Sequence, residues 1–219
     1  MGIAFFDLDK TLIAVNSARL WVRSELREGH ISRTQAVVAT SWMVRYALGA
    51  ARLDEAVRAA IAALEGEEEA VIRDRTHRFF DREVARLVRP GAHTALAQHR
   101  ADGELCVLLT SSSSYMSEKT VDLLELDGAL CNRFEVVDGL FTGAPLEPLC
   151  FGPGKVDHAR TYADARGVSL DDCAFYTDSA SDSPLLELVG RPRVVAPDPR
   201  LKRRARKRGW PIEDWGTTR

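Results

Sequence analysis

The sequence has no cysteine pair at metal-binding or redox spacing, no long apolar run, few aromatic residues (7%) and almost no net charge. Its four cysteines, Cys106, Cys131, Cys150 and Cys173, are widely separated. Without a C-x-x-C pair, zinc and thioredoxin-type spacings are excluded. Cys106 and Cys173 sit in strand-like apolar runs, where a thiol acts as a small hydrophobe, so reduced thiols in a cytoplasm-like compartment are expected. No stretch approaches the roughly 20 apolar residues of a membrane span. The opening run Ile3-Ala4-Phe5-Phe6 stops at Asp7 and has no basic leader, so it does not read as a secretory signal. Gly2 invites a myristoylation reading, but Phe6 stands where that motif needs Ser or Thr. Thirty Lys and Arg against thirty-two Asp and Glu leave a net charge of −2. That is too little to steer the whole molecule toward nucleic acid or an anionic membrane. A soluble cytoplasmic protein without a membrane partner is the expectation.

What is present is ordinary globular composition, 45% apolar and 28% charged over 219 residues. A chain of this length buries roughly 70% of its unfolded surface and needs no metal or disulfide to fold. Residues 1–12 read as a short buried strand running into the polar turn Asp7-Leu8-Asp9-Lys10-Thr11. From about 16 to 88 strand signals vanish, and Gly29, Gly49 and Gly66 punctuate a stretch rich in Ala, Arg and Glu. Four helices are expected there. Asn16 or Ser17 caps the first, with Ala18, Val22 and Leu26 on one face before Gly29. Ser32 and Gln35 have capping-box spacing for the second, whose Val38, Trp42 and Tyr46 recur at i, i+4 and i+8. Asp54 precedes a third with Val57, Ile61 and Leu64. The fourth carries Ile72, Thr76, Phe80 and Val84 on one side and stops at Pro90-Gly91.

From about 90 onward, short apolar runs alternate with helical patterns, the rhythm of a parallel sheet with crossover helices. Strands are expected at Glu104–Leu109, Cys173–Tyr176 and Arg193–Ala196. Phe134–Val137 and Leu140–Thr142 read as a hairpin about Asp138-Gly139. The expected fold is therefore α/β: a doubly wound, mostly parallel, Rossmann-like core from residues 1–15 and 89–219, with an inserted all-helical cap at 16–88.

Polar residues gather where the apolar strands end: Asp7 and Asp9, then Thr110, then Asp178 with Asp182. In open α/β sheets ligands bind beyond the carboxyl ends of strands. One such carboxylate reads as a helix cap, but several converging carboxylates repel unless a cation or proton intervenes. The cluster therefore points to a hard metal ion.

Phe5-Phe6-Asp7-Leu8-Asp9-Lys10-Thr11-Leu12 resembles the D-x-D-x-T signature of the haloacid dehalogenase superfamily of phosphotransferases. Val107-Leu108-Leu109-Thr110, Lys155 and Asp178-Ser179-Ala180-Ser181-Asp182 follow in that family's order, so the resemblance spans nearly the whole chain. A helical insert between the first two motifs is similar to the cap of the phosphoserine phosphatase-like branch. The resemblance implies Asp7 as nucleophile and Asp9 as general acid, then base. It implies Thr110 and the Ser111 N–H as phosphoryl-oxygen donors and Lys155, after Gly152-Pro153-Gly154, as the lysine between nucleophile and phosphoryl group. Octahedral Mg²⁺ would be held by the Asp7 and Asp178 carboxylates and the Asp9 carbonyl, with Asp182 orienting Lys155 or binding through water. The reaction implied is Mg²⁺-dependent hydrolysis of a small phosphorylated metabolite through an aspartyl-phosphate.

Gly152-Pro153-Gly154-Lys155 fails as a P-loop, because Leu149 replaces the first glycine and Val156 the Mg²⁺-binding hydroxyl. A receiver-type signalling module also uses a phosphorylated aspartate, but it places that residue on its third strand. Seven of the nine residues Arg200–Arg208 are cationic, which admits a phosphatase working on nucleic-acid-linked phosphate. No aromatic residue interleaves the charges, so a solvated helix is expected and nucleic acid is not. His30, His77, His93, His99 and His158 lack metal-site spacing; His158, one turn beyond Lys155, is expected at the surface or behind the site. Phosphoserine enzymes carry a substrate-binding glutamate shortly after the first motif. Its counterpart by spacing is Asn16, which counts against phosphoserine and leaves histidinol phosphate and other small phosphates open. Arg19, Arg23, Arg45 and Arg52 are the candidate cap contacts.

Overall fold

The computed structural model describes residues 2–47 and 53–217, without the side chains of 43–47 and 53. The expectations for Gly49 and Arg52, and for the Arg45 and Tyr46 side chains, therefore lie outside the described residues. Strands run over Ile3–Phe6 (β1), Leu105–Ser113 (β2), Gly128–Asn132 (β3), Phe134–Val137 (β4), Leu140–Pro145 (β5), Cys173–Thr177 (β6), Arg191–Val195 (β7) and Ile212–Glu213 (β8). Six of them form one sheet in the order β3-β2-β1-β6-β7-β8, with every neighbour pair parallel. Phe6 pairs in register with Leu108 on one side and Tyr176 on the other.

All four residues of β1 are apolar and buried, as a strand covered on both faces requires. Ile3 and Phe5 pack with Val107, Leu109 and Phe175 under Pro153–Asp164 (α7), Ser183–Leu186 (α8) and Pro199–Arg208 (α9). Ala4 and Phe6 pack with Leu108 and Tyr176 on the opposite face, under Pro90–Ala101 (α5) and Ser114–Leu124 (α6). Phe5, Phe6 and Phe175 are fully buried, each contributing up to about 3 kcal/mol. The chain passes from β1 to β2 on one side and returns to β6 on the other. The crevice where strand order reverses thus lies at the end of β1.

The region between β1 and β2 forms Ser17–Glu28 (α1), Arg33–Ala47 (α2), Leu53–Ala62 (α3) and Glu69–Phe79 (α4). Asn16 caps α1, and Gly29 ends it in the left-handed conformation, φ 77°. The packed face of α1 differs from the expected one. Leu26 is 38% exposed, while Ser24 and Glu25 are buried. The reason is a buried ion pair: Glu25 bonds Arg75 of α4 and lies 3.1 Å from His30 Nδ1, which turns the helix. Ser32 and Gln35 make the reciprocal capping box, at 2.8 and 3.2 Å. Val38 is 52% exposed rather than packed, and Trp42 is half-buried.

In the fourth segment Ile72, Thr76, Phe80 and Val84 are all buried, as their spacing predicts. The α-helix itself stops at Phe79 and continues as a π turn, Phe80–Val84, then a 3₁₀ turn, Ala85–Leu87. Pro90 opens α5 instead of closing the preceding helix, because a first-turn residue needs no N–H partner. The leaving and returning chains are bonded together, Ala14 N–H to Leu87 O at 2.9 Å and Arg89 N–H to Leu12 O at 2.8 Å.

Two strands were not legible, β3 and β8. The first opens on Gly128 and the second is two residues long, so neither carries an alternating pattern. β2 runs on through Thr110 to Ser113, the serine run continuing the strand rather than ending it. The β4–β5 hairpin is antiparallel as expected. It bonds the loop between α3 and α4 (Gly66 N–H to Phe141 O, Glu69 N–H to Gly139 O, both 2.9 Å) and is not part of the six-stranded sheet.

Candidate active site

Asp7 leaves β1 with its N–H on the Tyr176 carbonyl at 2.9 Å, so the sheet ladder fixes its backbone. Its carboxylate Oδ1 accepts from Lys155 Nζ at 2.7 Å, and the same ammonium donates to Asp182 Oδ2 at 2.9 Å. Lys155 is 1% exposed. It reaches this depth because Gly154 packs against the Leu149 carbonyl, where a Cβ would lie 2.0 Å from the oxygen. The lysine thus starts α7 pressed onto the sheet, and no residue larger than glycine fits beside it. Asp182 Oδ2 also accepts from the Thr177 hydroxyl at 2.7 Å. Burial would lower the Lys155 ammonium, but Asp182 and Asp7 outweigh it and hold it well above its ordinary value.

Thr110, 2% exposed, accepts the Ser112 N–H on its hydroxyl oxygen at 3.2 Å. A hydroxyl that accepts on one lone pair keeps its own hydrogen to donate. Half-buried Ser111 has its carbonyl held by Asn132 Nδ2 at 2.6 Å, and Asn132 Oδ1 accepts from Cys150 N–H at 2.8 Å. Asn132 therefore ties the end of β2 to the loop that delivers Lys155. Asp178 follows β6, and its carbonyl accepts from Asp198 N–H at 2.9 Å. The Asp198 carboxylate holds the 178–182 turn through Ala180 N–H (2.7 Å) and caps α9 through Arg200 and Leu201.

Asp9 is half-buried, its Oδ1 accepting Ser17 N–H at 2.9 Å and its Oδ2 the Asn16 amide at 3.2 Å. Lys10, next in the turn, has a left-handed backbone, φ 57°, and its ammonium lies 3.9 Å from Asp178 Oδ2. The Lys10 carbonyl accepts from the buried Arg89 Nε at 3.2 Å.

The carboxylates are crowded. Burial pushes Asp7 up to about 7, opposed by Lys155 and reinforced by Asp182. Asp178 is pushed up to about 8, by burial first and then by the charge of Asp7. Asp9 is raised by burial, with the Ser17 bonds opposing. Asp7 and Asp178 are each 7% exposed; Lys155 bonds Asp7, and Lys10 and the buried Arg89 are the cations that act on Asp178 among the described residues. Two buried oxygen donors with surplus negative charge fit a hard divalent cation. Among the described residues no three Asp, Glu, His or Cys side chains form a closed cage. Mg²⁺ does not ask for one, since it takes one or two carboxylates and keeps several waters.

Asp7, Lys155 and Asp182 are in direct contact, the charges of Asp9 and Asp178 act within the same carboxylate group, and Thr110 and Ser111 stand in the neighbouring strand β2. His158 stays outside, its Nε2 2.8 Å from the Pro148 carbonyl. In α9, Arg204 and Arg208 pair with Glu187 while the other cations are exposed. All four cysteines are buried and free. No helix of the described residues is long and apolar enough to cross a membrane. Thr177, Asn132, Asp198 and Arg89 were not found from the sequence. Asn132, Asp198 and Arg89 act on site groups at least 18 residues away, and Thr177 acts on Asp182 from the last residue of β6, where its hydroxyl reads as one more strand residue.

A family model described as haloacid dehalogenase-like hydrolase matches residues 4–187. The chain is 35% identical over 221 residues to a protein of Streptomyces azureus named for inhibition of morphological differentiation, covering 97% of this chain and 78% of that one. It is 30% identical over 220 residues to the phosphoserine phosphatase SerB1 of Mycobacterium tuberculosis, covering 99% and 71%. A crystal structure of a Bordetella pertussis Tohama I protein of unknown function superposes with TM-score 0.89 at 27% identity, covering 98% and 99%.

Proposed function

The chain belongs to the haloacid dehalogenase-like hydrolase family and is a phosphoric monoester hydrolase, and on that premise we propose a two-step transfer through Asp7. The observation that carries this reading is the bond from buried Lys155 to Asp7 Oδ1, with Asp182 behind it. A carboxylate oxygen of Asp7 attacks phosphorus, the new O–P bond forms in line, and the ester P–O bond breaks. Asp9 gives its proton to the departing alkoxide, which would otherwise leave as a far stronger base than a carboxylate. Asp9, now ionised, takes a proton from water. That water attacks phosphorus, inorganic phosphate leaves and the Asp7 carboxylate is restored.

Thr110 and the Ser111 N–H donate to the phosphoryl oxygens as charge develops there. Lys155 stays cationic throughout and offsets the repulsion between Asp7 and the phosphoryl group. The Asp7 and Asp178 carboxylates and the Asp9 carbonyl would hold Mg²⁺, which when bound withdraws negative charge from the phosphoryl oxygens. Residues 16–88 act as a cap over a core of 1–15 and 89–219, excluding bulk water during the first transfer. The chain leaves and returns through the paired segments at 12–14 and 87–89, and the β4–β5 hairpin bonds this insert a second time at Gly66 and Glu69.

The substrate class is a small phosphorylated metabolite. Asn16 offers an amide where the phosphoserine enzymes carry a glutamate, so phosphoserine itself is not the expected substrate. Of the four candidate cap arginines, Arg19 and Arg23 have described side chains, both exposed on α1. The test is a panel of phosphomonoesters with and without Mg²⁺, using wild type, Asp7→Asn and Asp9→Asn. Mg²⁺-dependent release of phosphate, abolished by Asp7→Asn, is expected. Undiminished release by Asp7→Asn would overturn the reading.

A further inference from the structure

We propose that Asn16 is a positioning residue for this reaction, its side-chain amide holding the Asp9 carboxylate toward the leaving-group oxygen. The inference rests on the reading of Asp9 as acid and base. Asn16 is the N-cap of α1, with extended backbone, φ −93° and ψ 112°. Its Oδ1 accepts from Arg19 N–H at 2.9 Å, and its Nδ2 donates to Asp9 Oδ2 at 3.2 Å. The amide has one chemically sensible orientation here. A backbone N–H can only donate, so the oxygen must face Arg19, and the NH₂ is thereby turned to Asp9 whichever protonation state Asp9 holds. The helix that Asn16 caps therefore dictates where its donor points.

Asp9 is gripped on both oxygens, by Ser17 N–H on Oδ1 at 2.9 Å and by Asn16 on Oδ2. Two donors on different oxygens fix the rotation of the carboxylate plane, and both belong to the first turn of α1. Each carboxylate oxygen has two lone pairs, so each keeps one free for the proton it must deliver. Without Asn16 the group would pivot on the single Ser17 bond, and proton delivery would lose its alignment. Both ends of the Asn16 side chain are thus engaged within the protein, with one amide N–H left over.

Serine caps a helix about as well as asparagine but is too short to bridge to Asp9. Asn16→Ser thus separates the two roles. The measurement is kcat/KM for p-nitrophenyl, phenyl and benzyl phosphate, because this ratio covers only the steps up to release of the first alcohol. Asn16→Ser is expected to leave the melting temperature unchanged and p-nitrophenyl phosphate within about 2-fold, while benzyl phosphate falls roughly 10-fold, a part of the full acid-catalysis factor. Asn16→Asp keeps the cap but sets a second carboxylate against Asp9, and is expected to show a steeper leaving-group dependence. Asp9→Asn, run alongside, distinguishes the failures. If it shows the leaving-group dependence and neither Asn16 variant does, the positioning role is wrong and the role of Asp9 stands. If Asp9→Asn lowers all three substrates equally, the acid role of Asp9 fails and the Asn16 inference fails with it.

Discussion

A lysine ammonium that is 1% exposed persists in a protein interior only when carboxylates surround it, and Lys155 has two, at 2.7 and 2.9 Å. Its removal leaves Asp7 and Asp182 buried with the charge between them gone. Lys155→Met is therefore expected to destabilise the metal-free protein by about 3–5 kcal/mol in urea unfolding. It is also expected to lower phosphate release at least 100-fold, roughly the cost of losing one transition-state donor. Unchanged stability would mean that the two carboxylates are neutralised some other way. Gly154 is the backbone counterpart of this demand. Gly154→Ala would put its Cβ 2.0 Å from the Leu149 carbonyl, so the start of α7 must move. A loss of about 1–3 kcal/mol is expected, with activity falling further than stability because Lys155 moves with the helix.

At the scale of elements, the loop carrying Asp9 and Lys10 is tied to a segment more than a hundred residues away. The Arg89 guanidinium donates to the Lys10 carbonyl at 3.2 Å and to the Gly216 carbonyl at 2.6 Å, and Gly91 N–H meets the Trp215 carbonyl at 3.0 Å. Trp215 is 5% exposed and packs on Tyr176 at 5.2 Å, whose own carbonyl holds the Asp7 N–H. The last strand and its tail are thus part of the floor beneath the active-site turn. Arg89→Met removes two charge-assisted bonds and is expected to cost about 2–3 kcal/mol, with faster hydrogen exchange at the Gly91 amide. Unchanged exchange there would show that the tail is held without it. The hairpin is anchored differently, through a small apolar cluster of Ile72, Tyr115 and Phe141 between α4, α6 and β5. This joins the helical segment to the core at a second place besides its chain connections.

Across the whole molecule, burial of several like charges at one crevice sets a pH dependence of unusual sign. Asp7 and Asp178 rise from 3.8 to about 7 and about 8 on folding, so the folded chain binds more protons than the unfolded one between those values. Their contribution to stability is fully present below pH 3.8 and is lost as pH rises through the folded values. The metal-free protein is therefore expected to melt at lower temperature at pH 8 than at pH 5. Glu83 and Glu104 have lowered values, held down by arginine partners against the effect of burial, and act in the opposite sense only at more acid pH. Saturating Mg²⁺ is expected to flatten the slope. A melting temperature that rises from pH 5 to pH 8 without metal would contradict the crowding described.

The ends of the strand-like runs that carry Asp7, Thr110 and Asp178 were legible because apolar runs are local. Lys155 and Asp182, at the starts of helical turns, took their roles only from the family resemblance. What local pattern did not carry was pairing at a distance. The α1 face was misread because Glu25 prefers Arg75 to water, and β8 was invisible because its two residues owe their strand to β7. Asn16 was noticed as a missing carboxylate, whereas its bond to Asp9 depended on geometry.

The most direct measurement is reduction of the enzyme with borohydride during turnover of p-nitrophenyl phosphate with Mg²⁺, followed by peptide mass spectrometry. An acyl phosphate is reduced to the alcohol, so homoserine at position 7, formed only when substrate is present, is the expected result. Continued phosphate release with residue 7 recovered as aspartate, or reduction at another carboxylate, would contradict a phosphoryl intermediate on Asp7.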